Sequence, residues 1–243
     1  MRKGMVLFLA FVIVGLGFTV VTAAGPLLGD VELTDAEEAH LIFMRSEEKL
    51  ARDVYLTFAI MHPQQPIFYT IAESEQKHTD TMRDTLIKFN IDDPEPNANA
   101  PDGTPTSIGV FDNPYFKVYF EDKFNNLTGE VNDLSALKVG ALIEELDMKD
   151  INDCNVEIYD FFAFEEATCG LEYTEVRALE RTLGNLLAGS ENHLCAFISQ
   201  IGPIISPDCY NAQVLTQGEV LEIIDEQCPE FSGFVCPPLI FNR

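Results

Sequence analysis

The chain has 243 residues, of which 47% are hydrophobic and 23% charged, the proportions of a globular protein rather than a disordered one. Lys and Arg number 15 against 40 Asp and Glu, a formal charge of −25. Such a field repels nucleic-acid phosphates and anionic lipid headgroups, which excludes a nucleic-acid partner.

Arg2 and Lys3 precede an uncharged apolar run over residues 5–24, which closes on the small residues Thr22, Ala23, Ala24 and Gly25. These are the parts of a secretory signal, and the run is also just long enough to span a bilayer. Residues 1–24 are therefore expected to be a cleaved signal or a retained membrane anchor. Without them, 13 basic residues face 40 acidic ones, so the working domain is strongly acidic and expected to be secreted or held at the cell surface. The cysteines agree with that compartment. Cys154, Cys169, Cys195, Cys209, Cys228 and Cys236 are even in number, all lie in the second half, and form no CxxC. In an exported protein this pattern reads as disulfides. Cys154 with Cys169 is the expected bridge because the two bracket a compact insertion, and the remaining pairing is left open.

The elements follow in chain order. Thr34 sits three residues before Glu37, a capping-box start for a helix over residues 34–61 that stops at His62-Pro63. A second helix is expected over residues 67–89. Residues 92–106 are rich in Pro, Asn and Gly without apolar period and read as a loop. A shorter helix over 114–127 and another over about 135–151 follow. Residues 154–170 read as a packed insertion, residues 173–201 as a long helix, and residues 219–227 as a short one in a Cys- and Pro-rich tail. No alternating strand pattern interrupts the main body. The expected fold is all-α: a four-helix bundle over residues 33–201, with an inserted short helix or loop, and a disulfide-rich tail over 202–243.

A weak internal repeat carries the chemistry. The first helix holds EEKLARD (residues 47–53) and the third long helix EELDMKD (144–150), while the second holds SEQKH (74–78) and the fourth SENH (190–193). Each half thus pairs a Glu-bearing helix with a His-bearing one, and a duplicated hairpin brings all four to one bundle centre. Glu75 and His78 are three residues apart and share a helix face. In dinuclear carboxylate bundles, two helices each give a Glu and two each give Glu-x-x-His. Carboxylate with imidazole suits iron or manganese, and also zinc.

The segments EKLARDVY, IAESEQKH, GVFDNP, VGALIEELDMKDI and LLAGSENHLCAF, in this order over about residues 33–201, resemble the ferritin-like proteins of domain-of-unknown-function family 2202. The resemblance implies a ferritin-like bundle. EKLARDVY also resembles the first metal helix of rubrerythrin-like proteins, which selects Glu48 over Glu47 as a ligand and, through the repeat, Glu145 over Glu144. The expected ligand set is Glu48, Glu75, His78, Glu145 and His193. It departs from a full dinuclear set, because Ser190 stands three residues before His193 where a Glu would be, and Glu191 turns away. The missing carboxylate implies weakened binding of a second ion, a mononuclear site or a decayed one, and Ser190→Glu is expected to raise the metal stoichiometry.

Tyr55, seven residues after Glu48, is expected on the same face as a hydrogen-bond donor behind the ligands or as a core residue. Arg52 is expected either to neutralise buried carboxylates or to lie at the surface, and His40 and His62 are expected at the surface. No phosphate-binding Gly loop, nucleophile elbow, HExxH or four-cysteine electron-transfer module is present. The reading is therefore an exported protein that binds a metal ion, iron first, in a mono- or dinuclear site. Oxidase-like, peroxide-consuming or iron-handling chemistry would draw on an outside reductant. The rival is a non-enzymatic exported bundle, structural or interaction-forming, with a vestigial site. No protein partner can be named from the sequence.

Overall fold

A computed structural model describes residues 32–129, 131–154, 156–162 and 168–238. The expected signal or anchor, residues 1–24, lies outside the described residues, as does part of the insertion. Among the described residues no helix is long and apolar enough to cross a membrane. Strand pairing among them is limited to the isolated bridges Asn99–Pro105 and Tyr210–Val235. The fold is all-α.

Helix α1 (Asp35–Met61) opens on the capping box. Thr34 Oγ1 accepts the Glu37 N–H at 3.2 Å, and Glu37 Oε2 accepts the Thr34 N–H at 2.9 Å. The other Glu37 oxygen accepts from the Thr174 hydroxyl at 2.8 Å, which ties the helix start to the approach of α6. Pro63 ends α1, since its ring disfavours helix at the preceding residue. After a short turn, α2 (Ile67–Lys88) folds back along α1. A second pair, α4 (Asp133–Asn152) and α6 (Arg177–Ile205), packs in the same way. Contacts of α1 with α4 and of α2 with α6 close the four-helix ring. Tyr55, Phe58, Phe68 and Phe197, all fully buried, fill the core beyond the polar centre, with ring centroids 5.2–5.9 Å apart. Aromatic side chains of this kind each remove about 150–250 Å² from water, so this cluster carries much of the bundle's hydrophobic stabilisation.

Every residue of α1 from 39 to 55 is buried, including its charged ones. The bundle covers only part of this helix. The remaining surface is covered by the loop over residues 92–116, by α3 (Lys117–Leu127) and by α5 (Val156–Phe162). The loop is strapped down by charge. Arg45 grips Asp93 through two hydrogen bonds of 3.0 and 3.1 Å. Glu95 accepts from the Ser46 hydroxyl and the Asp112 N–H, both at 2.8 Å. Lys49 and Arg52 meet Asp53 at 2.5 and 2.7 Å, and Asp53 also accepts the Gly109 N–H at 3.0 Å. Arg52 is thus buried, but it serves the loop and not the bundle centre. His40 and His62 depart from expectation. Both are buried, His40 against the Asp150 carbonyl at 2.6 Å and His62 beside Asp133 at 2.8 Å.

The tail adds α7 (Gln217–Gln227), which starts on a second capping box at Thr216 and Glu219, and a 3₁₀ turn (Pro229–Phe234). Cys154 pairs with Cys169, Cys195 with Cys228 and Cys209 with Cys236. The expected bridge is present, and the other two fasten the tail to α6 and to itself. Helix α6 begins later than expected because Thr174 is engaged with Glu37 and Val176 is extended. It continues past Ile201 to Ile205, where the Phe234 ring rests on Gly202.

Candidate metal centre

Four helices deliver side chains to one buried polar cluster. Glu48 comes from α1, Glu75 and His78 from α2, Glu144 and Asp147 from α4, and Ser190 and His193 from α6. Glu48 reaches it because α1 turns about 100° per residue, which sends the adjoining Glu47 elsewhere, to Lys123 at 3.6 Å. On α2, the three-residue spacing stacks Glu75 and His78 on one face.

The Glu75 carboxylate is the hub. Its Oε1 lies 2.6 Å from His193 Nδ1, and its Oε2 lies 2.9 Å from His78 Nδ1. Each imidazole then meets a second carboxylate: His78 Nδ1 is 3.3 Å from Glu48 Oε2, and His193 Nδ1 is 3.4 Å from Glu144 Oε2. The two rings lie nearly parallel with centroids 5.4 Å apart. Ligand atoms of Glu75, His78 and His193 all fall within 4.8 Å of one another. Tyr55, at full burial, donates to Glu144 Oε1 at 2.5 Å and so fixes that carboxylate from behind.

Of the five residues expected from sequence, the structure brings together Glu48, Glu75, His78 and His193. Glu145 is not among them. It faces the tail, where it accepts from the Tyr210 hydroxyl at 2.6 Å and from the N–H groups of Gln213, Val214 and Leu215 at 2.8, 2.7 and 3.0 Å. Its neighbour Glu144 takes the place at the centre. Glu191 turns outward as expected, accepting from Gln227 at 3.0 Å. Sequence reasoning missed Glu144 and Asp147. Their own three-residue spacing was the available signal, since it places both on one face of α4.

The electrostatics are those of a site short of positive charge. Burial penalises charge on every member. It raises Glu48, Glu144 and Asp147 above the ordinary carboxylate range, with neighbouring acids adding to the effect. For Glu75 burial pulls the same way, but His193 and His78 outweigh it and hold the group below its ordinary range. Burial would lower both histidines, yet the Glu75 carboxylate and a second acid raise each well above the ordinary imidazole value. Both oxygens of Glu48, Oε1 of Glu75, Oδ1 of Asp147 and Nδ1 of both histidines are buried without a hydrogen bond of good geometry. Buried polar atoms in native proteins are nearly always satisfied. Six such atoms converging from four helices fit a cation, whose binding displaces the shared protons.

A family model described as "Uncharacterized protein domain (DUF2202)" matches residues 37–227. The chain is 36% identical over 192 residues to the uncharacterized protein MJ0754 of Methanocaldococcus jannaschii, an alignment spanning 79% of this chain and 88% of that one. It is also similar to the crystal structure of the hypothetical protein MJ0754 from Methanococcus jannaschii, with a TM-score of 0.64 at 36% identity, over 81% of this chain and 96% of that one.

Proposed function

The chain belongs to the uncharacterised DUF2202 family, and we propose that it is an exported, ferritin-like protein that binds iron between its four central helices for oxidase-like, peroxide-consuming or iron-handling chemistry. The observation that carries this reading is the buried Glu75 carboxylate held between two imidazoles, one oxygen directed at each Nδ1. Carboxylate and imidazole donors together suit iron or manganese, with zinc also accommodated. Iron so held would supply redox and Lewis-acid chemistry.

The chain's own residues have definite parts in this reading. Glu75, His78, His193, Glu48 and Glu144 bind and orient. Tyr55 fixes Glu144 through the hydrogen bond it donates from Oη, and burial among carboxylates keeps its proton on the phenol. Aromatic packing on one side and the loop-covered α1 on the other exclude bulk water. The side chains of His78 and His193 keep 12% and 10% exposure, so the centre is not wholly sealed from small oxygen species and metal ions. The apolar run of residues 5–24 and the paired cysteines support export to an oxidising compartment.

One observation favours the non-enzymatic alternative: the two imidazoles and their carboxylates sit at ion-pair distances from one another, contacts that can tie α1, α2, α4 and α6 together. Metal analysis separates the two readings. Protein matured in an oxidising compartment, freed of metal and loaded anaerobically with Fe(II), should retain iron through gel filtration and then consume oxygen or hydrogen peroxide when a reductant is supplied. Protein that retains no iron, manganese or zinc would leave the structural reading standing.

A further inference from the structure

The sequence shows a gap where a second Glu-x-x-His would be completed, because residue 190 is Ser. The structure places another group there. The Ser190 hydroxyl, itself fully buried, donates to Asp147 Oδ2. Asp147 is 4% exposed, and its other oxygen, Oδ1, is buried without a partner. Asp147 and Glu144, three residues apart, share one face of α4.

We infer that Asp147 is a fourth carboxylate ligand of a two-ion site, supplied from α4 in place of the acid that α6 lacks, and that Ser190 is its positioning residue. The inference rests on the metal reading above and deepens it. Charge supports the count. Two divalent cations carry four positive charges, and Glu48, Glu75, Glu144 and Asp147 supply four negative ones, with two neutral imidazoles completing the set. Three carboxylates would leave a buried excess of one positive charge, which a low-dielectric core strongly disfavours. Geometry supports the division of labour. Glu75 offers one oxygen to the His78 side and one to the His193 side, so it can bridge. Glu48 stands beside His78 and Glu144 beside His193. With Oδ2 held by Ser190, Asp147 has Oδ1 left for an ion, and the hydroxyl sets its direction as an outer hydrogen-bond partner does for a ligating carboxylate.

The full chain, freed of metal, is loaded anaerobically with Fe(II) and separately with Mn(II), and bound metal per chain is measured by plasma mass spectrometry alongside isothermal titration. The wild type should hold two ions. Asp147→Asn keeps the shape and the bond from Ser190 but removes the charge, and should fall to one ion. Ser190→Ala should keep two, with the second bound about 10-fold to 100-fold more weakly, the usual effect of losing an outer partner. Ser190→Glu should lower the count rather than raise it, because the new carboxylate would meet Asp147. Circular dichroism and thiol counting of each variant establish that the fold is retained. Two ions of unchanged affinity in Asp147→Asn, a single ion in the wild type, or a raised count in Ser190→Glu would each overturn the inference while leaving the metal reading intact. No ion in the wild type would overturn both.

Discussion

Glu144 and Glu145 follow one another on α4, yet their carboxylates lie on different sides of it: Glu144 Oε2 is 3.4 Å from His193 Nδ1, whereas Glu145 Oε2 is 2.7 Å from the Val214 amide nitrogen. The two positions should therefore separate metal binding from stability. Glu144→Gln removes one charge from a crowded acidic centre. It should lower metal content while leaving the thermal midpoint of the metal-free protein unchanged or higher. Glu145→Gln can keep one oxygen for the three tail amides but sets an NH2 group where the buried Tyr210 hydroxyl now donates. Each buried donor left unsatisfied costs roughly 1–3 kcal/mol, so this variant should melt earlier with metal content unchanged. Metal analysis and calorimetry of both variants check the pair, and loss of metal from Glu145→Gln alone would reverse the assignment.

Gly189 packs directly on the His78 ring. A Cβ built at 189 would lie 2.5 Å from both Cε1 and Nε2 of that imidazole. Gly184, one turn and a half earlier on the same helix, has nothing within 4 Å of an added Cβ. Replacing Gly by Ala in a helix interior ordinarily stabilises by about 1 kcal/mol. Gly184→Ala should show that gain and leave metal binding untouched. Gly189→Ala should forfeit it, push His78 off the centre and weaken metal binding. The comparison, by denaturant unfolding and metal titration, isolates the position of one ring from helix propensity.

Much of this arrangement was legible beforehand, and the rest was hidden for identifiable reasons. Capping residues and breakers such as Thr34, Glu37 and Pro63 act locally, so the ends of α1 could be read from them. Glu75 and His78 could be read because spacing on one helix fixes a shared face. Glu144 could not be separated from Glu145 in this way. They stand about 100° apart on α4, and which of the two faces the bundle centre depends on the tail, whose N–H groups at residues 213–215 claim Glu145 from nearly 70 positions away. The same holds for His40, and for the choice between the two places expected of Arg52, which neutralises the buried Asp53. A charged helix residue looks solvent-facing until a distant segment such as the loop over 92–116 is known to cover it. Asp147 was missed because the repeat directs attention to Glu and His, whereas its role depends on a serine from another helix.

The loop's attachment can be tested at Asp53, which is fully buried between Lys49 and Arg52. Burial already pulls Lys49 below its ordinary value, with Asp53 opposing the shift. Asp53→Ala would leave two buried cations short of their partner and free the Gly109 N–H. Breaking a buried pair from one side typically costs 3–5 kcal/mol, roughly, because the remaining charge is uncompensated. The variant should lose stability on that scale, and limited proteolysis should cut within residues 92–116 faster than in the wild type. A loss below about 1 kcal/mol would class the triad with surface ion pairs instead.

His40 supplies a pH dependence with a definite sign. Burial lowers its pKa from 6.5 to about 4, against the opposing effects of the Asp150 carbonyl and the acids Asp153 and Glu37. The ring is therefore neutral in the folded protein and donates from Nε2 to the Asp150 carbonyl at 2.6 Å. In the unfolded chain the same ring takes up a proton near pH 6.5. Above that value both states are neutral at this position, and His40 adds no pH dependence. Below it the unfolded state binds more protons, so stability falls as the pH drops and levels off once the folded ring also protonates near pH 4. A shift of this size corresponds to about 3 kcal/mol, lost between those two values. His40→Gln retains an N–H that can reach the Asp150 carbonyl but does not titrate. Denaturant unfolding of both proteins, disulfides intact, should give a stability difference that is constant from pH 7 to 8 and moves in favour of the variant by about 3 kcal/mol on acidification to pH 4. Parallel curves for the two proteins across that window would mean that His40 is protonated in the fold as readily as in water.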